Sequence, residues 1–167
     1  MVNCKIKAII FDWGDTLMCD YKEYSGAMAN WPHVEIVSGV KESLDKLNEK
    51  YICCVASNAG DSDVELMGKA LERVDIRKYF KHLFTSNELG YSKPSLEFFN
   101  KISLMLNIEA SNCIMVGNDY FKDIAPAKQI GMRTILLSEK INESLMTYAD
   151  VVITSMKELS SAVAELS

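Results

Sequence analysis

The chain has 167 residues, enough to bury a real core and too few for two ordinary domains. Hydrophobic residues make up 49% and charged residues 25%, with a net charge of −5. That composition excludes wholesale disorder and argues against a non-specific grip on nucleic acid or an anionic membrane. No apolar run approaches the ~18 residues of a membrane span, and the first residues are charged too early for a secretory signal. The expectation is a soluble, cytoplasmic protein with no membrane and no specific nucleic-acid partner. Five cysteines, without CxxC or Cys/His spacing, predict reduced thiols rather than a disulfide framework or a zinc site.

In chain order, residues 5–11 (KIKAIIF) are a short apolar run suited to a strand buried on both faces. Residues 18–38 are the least regular stretch and are aromatic (Tyr21, Tyr24, Trp31). They are expected to form a flap or short helix beside the end of that strand. Val40, Leu44 and Leu47 follow Gly39 at helical spacing. Residues 51–56 (YICCVA) read as a second strand, and Val64, Met67, Leu71 and Val74 as the next helix. Residues 83–85 are a weaker strand candidate. Pro94 suits the first turn of a helix carrying Phe98, Ile102, Met105 and Leu106. Strands are then predicted at 112–116, 133–137 and 150–153, and Ser155 with Glu158 is a capping-box signature. This alternation predicts one doubly wound, Rossmann-like α/β domain over 1–167, with a mostly parallel sheet and helices on both faces.

In such a sheet, ligands bind beyond the carboxyl ends of the strands. The first strand is followed by Asp12-Trp-Gly14-Asp15-Thr16 and the second by Ser57-Asn58-Ala-Gly. Gly90-Tyr-Ser-Lys93 precedes the Pro94 helix, and the 112–116 strand runs into Gly117-Asn118-Asp119-Tyr-Phe-Lys-Asp123. A carboxylate, a hydroxyl, a lysine and an acidic pair are thereby expected on one rim. Each has a plainer reading taken alone: turn residue, solvated charge or helix cap.

Together, in this order and spacing, the four segments resemble the four motifs of the haloacid dehalogenase-like hydrolase superfamily across essentially the whole chain. The resemblance implies a phosphoester hydrolase acting through an aspartyl-phosphate on Asp12. It implies phosphate contacts from Ser57, Asn58 and Lys93, and Mg²⁺ held by Asp12, the Gly14 carbonyl, Asp119 and Asp123. Such a metal offsets the repulsion between a carboxylate nucleophile and an anionic phosphoryl group. Asn118 competes with Asp119 for the first metal position, and a carboxylate suits Mg²⁺ better. Thr16 is expected to orient the loop rather than touch substrate.

Two departures qualify the resemblance. Phosphatases of the superfamily carry a second aspartate two residues after the nucleophile, where this chain has Gly14. Asp15, one residue on, is not an automatic substitute, because successive side chains point apart. A slow phosphatase, a non-catalytic phosphate- or phosphoprotein-binding module, and a dehalogenase- or phosphonatase-type activity are the readings this leaves. In addition, the intervals between motifs hold no inserted cap domain. The resemblance associates that pattern with bulky or macromolecular phosphoesters, or with a neighbouring subunit in an oligomer serving as the lid.

Overall fold

The computed structural model describes residues 5–140, 142 and 147–167. Six strands form one parallel sheet: β1 Ala8–Phe11, β2 Ile52–Ser57, β3 His82–Thr85, β4 Cys113–Gly117, β5 Arg133–Leu137 and β6 Val151–Ile153. Their spatial order is β3-β2-β1-β4-β5-β6. The chain winds outward from β1 to β3, crosses back to β4 beside β1, and winds outward again. The order therefore reverses between β1 and β4, where a doubly wound sheet opens a crevice at its carboxyl edge. The weak 83–85 candidate is a true strand, with Ser57 paired to Thr85 in parallel register.

The short apolar runs alternate across the sheet as their two-residue period requires. Ile9 and Phe11 pack on the face covered by α1 (Val40–Leu47), α2 (Val64–Arg73) and α6 (Leu159–Leu166). Ala8 and Ile10 pack on the other face, under α3 (Ser86–Leu89), α4 (Leu96–Leu106) and α5 (Ala125–Gln129). Leu44, Leu71, Phe98, Phe99 and Ile102 are fully buried, so each helix is held by its apolar stripe. Asp63 caps α2 by accepting from the Leu66 N–H at 2.8 Å. The predicted Ser155–Glu158 capping box is present at the entry to the C-terminal helix. Cys53, Cys54 and Cys113 are buried and unpaired, and burial pushes the Cys53 and Cys54 thiols up to about 12. Cys4 lies outside the described residues.

Residues 18–38 form a wall over one side of the carboxyl edge. It is a loop with a short 3₁₀ turn at Met28–Asn30, pinned by a single antiparallel bridge between Met18 and Ile36. Trp31 and Met28 join the core from it. No separate cap domain interrupts the described chain. Among the described residues, no helix is long and apolar enough to cross a membrane.

Candidate active site

Three strand ends and one loop deliver side chains to the switch point. The Asp12 N–H still donates to the Val116 carbonyl at 2.9 Å, so the sheet ladder fixes the backbone from which this carboxylate emerges. Ser57 closes β2, and its Oγ accepts from the Ala59 N–H at 3.1 Å. Lys93 lies in the loop between α3 and α4 and needs an anchor. The Asn58 side chain supplies one, accepting from the Lys93 N–H at 2.8 Å and donating to the Lys93 carbonyl at 3.2 Å. The Asn58 amide thus holds the lysine main chain, and Asn58 also lines the cleft.

The Lys93 ammonium donates to Asp12 Oδ1 at 2.8 Å and Asp123 Oδ1 at 2.7 Å. These side chains are only 4%, 13% and 1% exposed, so two carboxylates share one cation almost out of water. Burial opposes the charge on Lys93, yet the two carboxylates outweigh it and hold the ammonium above its ordinary value. Burial pushes the Asp123 carboxyl up to about 6, with the Asp12 charge adding to the shift and Lys93 working against it.

Asp123 reaches this position because the residue opposite has no side chain. A Cβ on Gly117 would lie 2.4 Å from Asp123 Oδ2 and 2.7 Å from its Cβ. Between them the chain makes a wide π-type turn over Tyr120–Ile124, of the kind often found at functional sites. The Asp119 carbonyl accepts from both the Asp123 and Ile124 N–H groups. The Asp119 carboxylate starts the turn, with Oδ1 accepting from the Phe121 and Lys122 N–H groups at 3.0 Å each. The remaining Asp123 oxygen accepts from the Asp119 N–H at 3.2 Å. Both Asp123 oxygens accept from protein donors, Oδ1 from the Lys93 ammonium and Oδ2 from the Asp119 N–H.

Thr16 is fully buried, with its hydroxyl 3.4 Å from Asp12 Oδ2 and 3.3 Å from Asn118 Oδ1. One hydroxyl proton serves one of these at a time, so Thr16 ties the nucleophile loop to the β4 loop. Asp15 takes a left-handed backbone with φ of 58° and is exposed. Its Oδ1 accepts the Asp20 N–H at 2.8 Å. The displaced aspartate thus fastens the next stretch of chain.

These groups line a cleft of about 260 Å³ that holds Asp12, Ser57, Lys93, Asn118, Asp119 and Asp123. A second cleft of about 360 Å³ adjoins it under the 18–38 wall, lined by Trp13, Tyr24, Met28 and Trp31 among others. Gly14, Asp20 and Ser57 belong to both clefts. Sequence reasoning passed over Asp20, which lies in the irregular segment; only the loop's return toward Gly14 brings it to the site. Among the described residues, no three acidic, histidine or cysteine side chains converge into a ready-made metal cage.

Comparison with known proteins places this geometry. Residues 3–137 match the family model described as haloacid dehalogenase-like hydrolase. The chain is 35% identical over 91 residues to a glyceraldehyde 3-phosphate phosphatase of Methanocaldococcus jannaschii, covering 53% of this chain and 40% of that protein. It is 29% identical over 117 residues to a ribulose-1,5-bisphosphate 5-phosphatase of Halopiger xanaduensis, covering 70% of this chain and 48% of the relative. The chain thus spans about half the length of the curated relatives it matches. An uncharacterized protein from Listeria monocytogenes serotype 4b superposes with a TM-score of 0.83 at 24% identity, over 96% of this chain and 98% of that one.

Proposed function

This chain belongs to the haloacid dehalogenase-like hydrolases, and from that premise we propose that it hydrolyses small phosphorylated metabolites through a covalent phosphoryl group on Asp12. The observation that carries the reading is the buried Asp12–Lys93–Asp123 trio opening into a cleft at the sheet's switch point. Burying three charges is costly, and a purely structural site would be served as well by apolar side chains. The phosphatase names of the relatives support the same reading.

Among the described residues Asp12 Oδ2 keeps only the long Thr16 contact, so its lone pairs are available for attack on phosphorus. Ser57 offers a hydroxyl proton to a phosphoryl oxygen, and Lys93 a compact positive charge. Lys93 is oriented from both ends, by Asn58 on its main chain and by Asp123 on its ammonium.

The donor set fits Mg²⁺. It is all oxygen and holds few carboxylates, as suits an ion that keeps several waters and takes substrate phosphate as a ligand. Asp12, the Gly14 carbonyl and Asp119 would hold it, with Asp123 steadying the Asp119 backbone. When bound, the ion offsets the repulsion between the Asp12 carboxylate and the phosphoryl group.

Phosphate release from an aryl phosphate in the presence of Mg²⁺ tests the reading. Chelation or Asp12→Asn should abolish it, and undiminished turnover by Asp12→Asn would remove the mechanism.

A further inference from the structure

We propose that Asp20 is the proton-transfer carboxylate of this site, occupying the space that a side chain on residue 14 would fill; the proposal rests on the phosphoester-hydrolase reading above. Gly14 lies two residues beyond Asp12 and lines the same cleft, so a side chain at position 14 would stand beside Asp12. Glycine leaves that position empty, and Asp20 fills the space beyond it. A Cβ built on Gly14 would lie 3.4 Å from Asp20 Cβ, 3.5 Å from its Oδ2 and 3.6 Å from its Cγ.

The intervening chain is folded to bring it there. The Trp13 carbonyl accepts from the N–H groups of Thr16, Leu17 and Met18, turning the chain back on itself. The Asp15 carboxylate then holds the Asp20 N–H at 2.8 Å, and the Lys22 ammonium holds Asp20 Oδ2 at 2.5 Å. The loop thus carries one carboxylate that anchors and a second that is presented to the cleft.

The location is the one proton transfer needs. Asp20 is shared by the Asp12 cleft and the larger adjoining cleft. With the phosphoryl group at Asp12 and the organic part under the 18–38 wall, the bridging ester oxygen lies at their junction. Among the described residues the Asp20 carboxylate is bonded through Oδ2 alone, to Lys22, which leaves Oδ1 for proton transfer, whereas the other nearby acids have tasks of their own. Asp15 is turned onto the Asp20 backbone, Asp119 Oδ1 caps its turn, and both Asp123 oxygens are bonded within the protein.

The chemistry balances over the cycle. As Asp12 bonds to phosphorus and the ester P–O bond breaks, the protonated Asp20 carboxyl gives its proton to the departing oxygen. In the second half a water loses a proton to the Asp20 carboxylate. Its oxygen bonds to phosphorus, the Asp12–phosphorus link breaks, and phosphate leaves with Asp20 protonated again.

The test compares wild type, Asp20→Asn, Gly14→Asp and the double variant on an alkyl and an aryl phosphate monoester with Mg²⁺. Asp20→Asn should lower alkyl-ester turnover by about 10²-fold or more. The aryl ester should lose less in the step that forms the phosphoenzyme, because its oxide departs without a proton. Phosphoryl label on Asp12 should then accumulate. Gly14→Asp should raise the turnover of Asp20→Asn by about tenfold or more, because it returns a carboxylate to the space that Asp20 occupies. Such rescue separates lost chemistry from lost folding. Alkyl-ester turnover by Asp20→Asn within about threefold of wild type, while Asp12→Asn is dead, would overturn this proposal alone. Wild-type activity in Asp12→Asn would instead sink the phosphoester-hydrolase reading.

Discussion

At the floor of the cleft, Lys93 and its two carboxylates are nearly sealed from water and positioned by three separate elements. The wall formed by residues 18–38 is held differently. Arg73 donates to the carbonyls of Ala29 at 3.1 Å and Trp31 at 2.7 Å, and the Trp31 indole donates to the Gly26 carbonyl at 3.0 Å. The Tyr21 hydroxyl donates to the exposed Glu35 carboxylate, and the Tyr24 and Trp31 rings meet at 5.4 Å. The floor is a charge arrangement in which each member is needed by the others, because an unpaired buried charge costs far more than a pair. The wall is held by hydrogen bonds and ring contacts, with Met28 and Trp31 reaching into the core. Under the proposed function the phosphoryl chemistry rests on the floor, the wall supplying Asp20 for proton transfer and the choice of organic group.

The largest way to break this contrast is at the floor. Asp12→Asn should lower phosphate release by about 10³-fold or more, the scale expected when a nucleophile is removed, while leaving the fold intact in circular dichroism. Next comes Lys93→Met, which strands two carboxylates. Loss of stability should be about 3 kcal/mol at pH 8 by denaturant unfolding. The sign of its pH dependence is set by burial. Without the ammonium the folded variant takes up a proton that the unfolded chain does not, so its stability rises as pH falls from 8 toward 5. A deficit that instead grows over that interval would contradict the shared-cation description.

Gly117→Ala sharpens the contrast from the packing side. Its new methyl would stand 2.4 Å from Asp123 Oδ2, so it should cost about 1–3 kcal/mol and lower activity by displacing Lys93. At the wall, Arg73→Ala should cost about 1.5 kcal/mol by removing two hydrogen bonds from a charged donor. It should raise KM for esters with a sizeable organic part while changing kcat by less than about threefold. A kcat collapse there would erase the distinction between floor and wall. The smallest effect is expected far from both. The exposed Glu158 carboxyl is held below its ordinary value by the Thr154 and Ser155 N–H groups. It therefore contributes stability above its unfolded pKa and loses it as pH falls through the lowered folded value. Glu158→Gln should lower Tm slightly at neutral pH, and that difference should vanish in acid.

Much of the floor was legible in the sequence because buried parallel strands are written as short apolar runs, and the residues just after each run must lie at the carboxyl edge. The predicted 133–137 strand coincides with β5, and the predicted 112–116 strand is displaced from β4 by one residue. The hydrogen bonds by which Asn58 holds the Lys93 main chain and Asp123 the Lys93 ammonium were not legible, since a residue type and its spacing do not fix its partners. Asp20 was hidden for a different reason. It approaches Gly14 through a turn built on the Trp13 carbonyl and the Asp15 side chain, contacts with no periodic signature. The weak 83–85 segment becomes a strand through pairing with β2, a tertiary contact that overrides local pattern.

The account is tested most directly by rapid acid quench of the enzyme turning over an aryl phosphate with Mg²⁺, followed by mass spectrometry of its peptides. One phosphoryl mass on the peptide carrying Asp12, absent from Asp12→Asn, is the predicted result. Sustained phosphate release with that peptide unmodified at every quench time, and still unmodified in Asp20→Asn, would contradict it.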